Sequence, residues 1–76
     1  MPDHDEAARL RRFLTYTLSW YACDHTPRRL RHWCDQHEAD DLLTWLHAQG
    51  ARCACEAVAA LDDYERRYYL SLAEAR

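Results

Sequence analysis

The chain has 76 residues, room for one domain and one core, and domains this small commonly need a staple such as a disulfide, a metal or a partner chain. Its 49% hydrophobic and 30% charged residues exclude a disordered chain. A net charge of −3 removes any bulk electrostatic argument for nucleic-acid binding.

A single glycine, Gly50, and two prolines point to long regular elements with few turns. The chain has no Lys, Ile or Asn, and all ten basic residues are Arg, a pattern expected of a high-GC bacterial genome. The opening Met1-Pro2-Asp3-His4-Asp5-Glu6 is acidic with no apolar run behind it, so it reads as neither signal peptide nor membrane anchor. The expected compartment is the cytoplasm, where thiols stay reduced. Four cysteines there point to metal or chemistry before a disulfide framework.

In chain order, Leu10, Phe13, Leu14, Thr17, Leu18 and Tyr21 follow helical spacing and predict an amphipathic helix over residues 5–22. Pro27 ends it, and Thr26-Pro27 reads as the start of a second helix, with Thr26 as N-cap and Pro27 first inside. That helix runs to about residue 36 and is expected to bury Leu30, Trp33 and Cys34, with Arg28, Arg29, Arg31 and His32 on the other face. A third helix is predicted over 39–49, with Leu42, Leu43, Trp45 and Leu46 inward, Asp40 and Asp41 near its start, and Gly50 as the left-handed residue past its end. The junction at His37-Glu38 lacks Gly and Pro, which leaves room for a tighter link. A fourth helix is predicted over 56–73, with Val58, Leu61, Tyr64 or Glu65, Tyr68 and Leu72 on one side. The expected fold is all-α: one domain over residues 1–76, a compact bundle of about four short helices stapled by a metal. Residues 51–55 leave room for one short strand before the last helix.

Two short motifs carry the chemistry: Cys23-Asp24-His25 and Cys53-Ala54-Cys55. Both fall at predicted helix boundaries, where the backbone is free to turn side chains toward a common point. Three thiolates and one imidazole make a suitable tetrahedral zinc set, so Cys23, His25, Cys53 and Cys55 are the expected ligands. The second motif also opens a helix, whose N–H groups favour thiolate over thiol, with Arg52 beside it. Zinc sites usually use Cys-x₂₋₄-Cys, so the one-residue gap weakens the match. The competing readings are small buried cysteines with His25 as a polar cap, or a redox role.

Cys34, beside Trp33, is expected in the core, since buried Cys behaves as a small hydrophobe. His32 and Cys34 diverge in direction on a helix. Glu56 is an alternative ligand, better read as stabilising the first turn of its helix. Asp24 is better read as a solvated loop carboxylate than as an orienting group for His25. His4, His37 and His47 read as surface residues, and Trp20, Trp33 and Trp45 as core. Arg28, Arg29 and Arg31 form the one basic patch and the candidate partner surface, although a solvated helix face is the plainer reading.

The blocks Cys23-Asp24-His25-Thr26-x-Arg28 with Trp33, and Trp45-Leu46-x-x-x-Gly50 with Cys53-x-Cys55-Glu56, resemble the small bacterial DUF2695 family over residues 20–61. The resemblance implies a bacterial source and strengthens the paired Cys/His blocks, but implies no activity. Ala54 stands where the family's Cys-Asp-Cys-Glu stretch has an acid, and Ala57 where it has a bulkier residue. Both departures leave the expected ligands intact.

The functional expectation is a small zinc-binding protein with a structural Cys3His site, acting as a binding or regulatory module through protein–protein contact. Zinc or copper(I) carriage or sensing is the second expectation, because soft thiolates in a Cys-x-Cys pair suit copper(I). A thiol-based redox enzyme or cysteine nucleophile is the third. With no cofactor loop, paired-carboxylate site or catalytic triad in the sequence, no enzymatic activity is expected. No membrane contact is expected, and nucleic acid is the less favoured partner.

Overall fold

The computed structural model describes residues 2–74. Four helices follow in order: α1 (His4–Trp20), α2 (Arg28–Gln36), α3 (Asp40–Ala48) and α4 (Ala54–Glu74). Among the described residues there is no strand. Residues 51–53, where a strand had room, form an irregular link without a partner segment, because every neighbouring element is a helix.

α1 packs along α4, and α2 packs on α3 and, less extensively, on α4. The long pair is antiparallel. His4 at the start of α1 stacks on Tyr68 at 3.9 Å, and Arg11 in its middle bridges Asp62 and Glu65. This orientation returns the chain after α1 to the start of α4, which positions the site.

The core is built from Leu10 and Leu14 of α1, Leu30 and Cys34 of α2, Leu42 and Leu46 of α3, and Leu61 of α4, each essentially inaccessible. Each buried leucine contributes about 1.5–3 kcal/mol of transfer free energy. Ala54 and Ala57 are also buried, so a bulkier or charged side chain at either position would have to displace core atoms. Tyr64 is buried against Trp45, edge to face at 5.4 Å, and its hydroxyl donates to the Pro2 carbonyl at 3.0 Å, pinning the N-terminus to α4.

Helix ends explain the short links. At the end of α3, Gly50 has φ 82°, its N–H donates to His47 O at 3.0 Å, and Ala51 N–H donates to Leu46 O at 3.0 Å. This is the Schellman arrangement, with the expected glycine in the left-handed position. The end of α2 repeats it without glycine: Glu38 has φ 52° and Ala39 N–H donates to Cys34 O at 2.8 Å. The junction at His37-Glu38 is therefore tight because a glutamate takes the left-handed turn.

The start of α2 differs from expectation by one residue. Pro27 is the N-cap, Arg28 the first helical residue, and no side chain caps the helix. Thr26 is already engaged, since its N–H and hydroxyl both donate to Asp24 Oδ1, at 3.0 and 2.8 Å.

Several expected inward residues lie outside the core. Trp20 is 71% exposed and Tyr21 66%, and Phe13 is exposed too. The buried face of α1 is centred on Ala7, Leu10 and Leu14, and its packing against α4 leaves the opposite stripe of rings uncovered. Leu72 is exposed because α4 runs on past His4, where α1 begins and its cover ends. Trp33 and Trp45 are in or against the core, as expected.

Candidate metal centre

The link between α1 and α2 delivers Cys23 and His25, and the first turn of α4 delivers Cys53 and Cys55. One ligand atom from each of the four lies within 4.8 Å of all the others. His25 Nδ1 is 3.8 Å from Cys53 Sγ and 3.8 Å from Cys55 Sγ, and the two sulfurs are 3.3 Å apart. A tetrahedral zinc with sulfur at about 2.3 Å and nitrogen at about 2.0–2.1 Å spaces neighbouring ligand atoms about 3.6–3.8 Å apart. The donor set therefore fits a tetrahedral ion with adjustments of a few tenths of an ångström for these pairs. All four expected ligands converge, and no other described residue joins the cluster.

The local chain is folded around the sulfurs. Cys53 is the residue before α4, and Ala57 N–H donates to its carbonyl at 2.9 Å, so Cys53 stands at the N-cap and Cys55 in the first turn. Glu56 turns back to accept from Arg52 N–H at 3.2 Å and lies 3.5 Å from Cys53 Sγ. That is a capping role like that of a capping box, with a thiol in place of the usual hydroxyl and the donor N–H one residue before the N-cap. It accounts for Glu56 as a capping group rather than a ligand, and the Arg52 N–H holds its carboxyl below the ordinary carboxylate value. His25 N–H donates to Cys23 Sγ at 3.4 Å, with His25 itself in the left-handed region at φ 61°. This positive φ carries no sequence signal of the glycine kind, although His enters that region more readily than most residues.

Cys23 and Cys53 are electrostatically unequal. Burial pushes Cys23 up, but the N–H groups of Cys55 and His25 and the neighbouring Cys55 and Cys53 thiols outweigh it, bringing it down to about 7. Burial pushes Cys53 up to about 12, and the neighbouring Cys55 and Cys23 sulfurs and Glu56 add to the rise against the Glu56 N–H. In the metal-free site Cys23 thus yields its proton before Cys53. A bound cation would override the difference by stabilising all three thiolates at once.

The other residues with candidate chemistry separate cleanly from the site. Cys34 is buried in the core and its thiol is pushed up to about 11, by burial first and then by Glu6, Asp40 and Asp35. Asp24 is tied to Thr26 and does not orient His25; the Thr26 N–H lowers its pKa. His32, His37 and His47 are exposed, with His37 stacked on Trp33 at 4.1 Å. His4 is instead half-buried under Tyr68. Arg28 and Arg31 are exposed, whereas Arg29 is half-buried with its guanidinium 6.0 Å from the Tyr21 ring centroid.

Fold and site together define a small all-helical protein with a Cys3His cluster able to hold a metal ion. The chain belongs to the DUF2695 family of proteins of unknown function, whose family model matches residues 10–60. That span contains all four cluster residues. Comparison with curated proteins and with solved structures returned no match. Among the described residues, no helix is long and apolar enough to cross a membrane.

Proposed function

We propose that this protein binds one zinc ion through Cys23, His25, Cys53 and Cys55 as a structural staple, and that it works as a non-catalytic module through protein–protein contact. The reading is carried by one observation: four ligand atoms from segments about thirty residues apart meet within 4.8 Å. A metal there joins the link after α1 to the start of α4 and closes the loop that holds α2 and α3. Because the four ligands meet only in the folded chain, metal binding becomes folding free energy. A closed four-ligand set leaves no position for an activated water, which argues against hydrolysis.

A second reading, carriage or sensing of zinc or copper(I), draws support from accessibility. His25 is exposed and Cys23 and Cys55 are half-exposed, so an exchange partner reaches one side of the cluster. Elemental analysis of protein purified under reducing, chelator-free conditions tests both: the expected result is one metal per chain, and a ratio near zero rejects both. Competition with zinc-selective and copper(I)-selective chelators then separates them. A structural zinc exchanges slowly and its removal loosens the helices; a carried ion leaves quickly from a chain that stays folded.

A further inference from the structure

We propose that the α1–α2 face docks an acidic, amphipathic helical segment of another protein. This names the partner class for the protein-contact reading above and rests on that reading. Phe13, Tyr16 and Trp20 lie on one stripe of α1, at i, i+3 and i+7, and are 37%, 67% and 71% exposed. Tyr21 continues the stripe past the helix end. Apart from the Tyr16–Trp20 pair, at 6.5 Å between centroids, and the Arg29–Tyr21 contact, the chain's own ring contacts among the described residues do not engage these side chains.

Beside this stripe, Phe13 and the α2 residues Arg28, Arg29, Arg31 and His32 line one open hollow, with Asp35 the carboxylate at its wall. One guanidinium nitrogen of Arg29 is buried without a hydrogen-bond partner among the described residues. Arg9, Arg28, Arg29 and Arg31 stand in no ion pair among the described residues. Trp, Tyr and Arg are the residue types that dominate binding energy at protein interfaces, because they bring large contact area at low entropic cost. Charge then selects the partner: guanidinium groups pair bidentately with carboxylates. A helix with apolar residues at i, i+3, i+4 and i+7 and acidic flanks matches an aromatic stripe edged by arginines. Nucleic acid is less well matched, because the basic cluster covers little more than one turn of α2 and is closed by Asp35, too short to follow a phosphate backbone.

The test uses the full chain purified with zinc supplied and a synthetic amphipathic peptide of about 15 residues, made of Glu, Leu and Ala with leucines at helical spacing. Trp20 is the highly exposed tryptophan, so its fluorescence reports occupancy. The expected result is saturable binding that weakens at high salt. It should weaken by about tenfold or more in the Arg28→Glu/Arg31→Glu double variant and, read by calorimetry, in Trp20→Ser. Each variant's helix content and metal-to-chain ratio are measured alongside, and both should match the parent. A flat titration, binding unchanged in both variants, or tighter binding of a 15-nucleotide oligo-dT overturns the proposal. A metal ratio near one with no peptide binding rejects the docking face alone. A ratio near zero with peptide binding intact rejects the metal reading alone.

Discussion

His25 meets Cys53 at 3.8 Å, Nδ1 to Sγ, while its own backbone sits at φ 61°. A residue with a Cβ pays about 1 kcal/mol for that left-handed conformation. The ligand geometry and the backbone preference therefore oppose each other at one residue, and the opposition is measurable. His25→Gly removes the strain together with the imidazole. In the presence of chelator the variant should be as stable as the parent or more stable, by up to about 1 kcal/mol. With zinc present the order should invert, because the glycine variant keeps only three donors. Paired urea titrations with and without zinc check this, and a variant that remains equal to the parent in zinc would show that His25 holds no metal.

Metal withdrawal should destabilise the whole domain and not only the link. At free zinc about a hundredfold above its dissociation constant, mass action adds about 2.7 kcal/mol to the folded state. For a chain of this length that corresponds to a fall of more than about 10 °C in the melting midpoint on adding chelator. Helicity at 222 nm followed during heating reads the shift directly. Cys53→Ser and Cys23→Ser should each remove most of it. Acidification should mimic the chelator, since protons compete with metal for thiolate and imidazole, and stability in zinc should fall as pH drops.

Two left-handed turns of the same kind end in different residues, Gly50 after α3 and Glu38 after α2. They predict opposite signs. Gly50→Ala meets no steric obstacle, because a Cβ there has open space, and should cost about 1 kcal/mol through backbone strain alone. Glu38→Gly should gain about 0.5–1 kcal/mol by relieving the same strain. Chemical denaturation of the two single variants decides the matter.

Cys34 should behave unlike the other three thiols. With its pKa pushed up to about 11 and its side chain buried, it should resist alkylation of the folded, metal-free protein near neutral pH and react only on unfolding. The folded value lies above the ordinary 9.0, so the unfolded chain ionises first. The stability contributed by this thiol is intact below pH 9 and drains away as pH rises toward 11. Comparing the parent with Cys34→Ala at pH 8 and pH 11 isolates the effect: the parent's advantage should shrink at the higher pH.

The helices and the convergence of the Cys3His cluster were legible because their signals are local. Leu10 and Leu14 follow helical spacing, Gly50 marks a helix end, and the Cys/His pairs sit at boundaries where the backbone turns. Less legible was which stripe of each helix would find a partner. Trp20 and Tyr21 lie in an apolar pattern that suits a core, yet four helices leave that side of α1 without a covering layer. The Glu38 turn was hidden because its left-handed backbone is imposed by tertiary packing on either side of it, with Cys34 and Ala39 both buried. The Thr26 cap failed because its hydroxyl is turned back to Asp24, two residues earlier, and Pro27 takes the cap position.

Cys53 is both a member of the Cys3His cluster and the residue on which α4 begins. Chemistry at that sulfur is therefore not confined to the cluster. An oxidant, an alkylating agent or a competing ion that moves it also unseats the opening turn of the longest rod in the molecule. The remainder of that rod carries Leu61 and Tyr64, against which much of the interior is assembled. One residue thus couples thiol reactivity, through its sulfur, to the architecture of the whole chain, through its carbonyl.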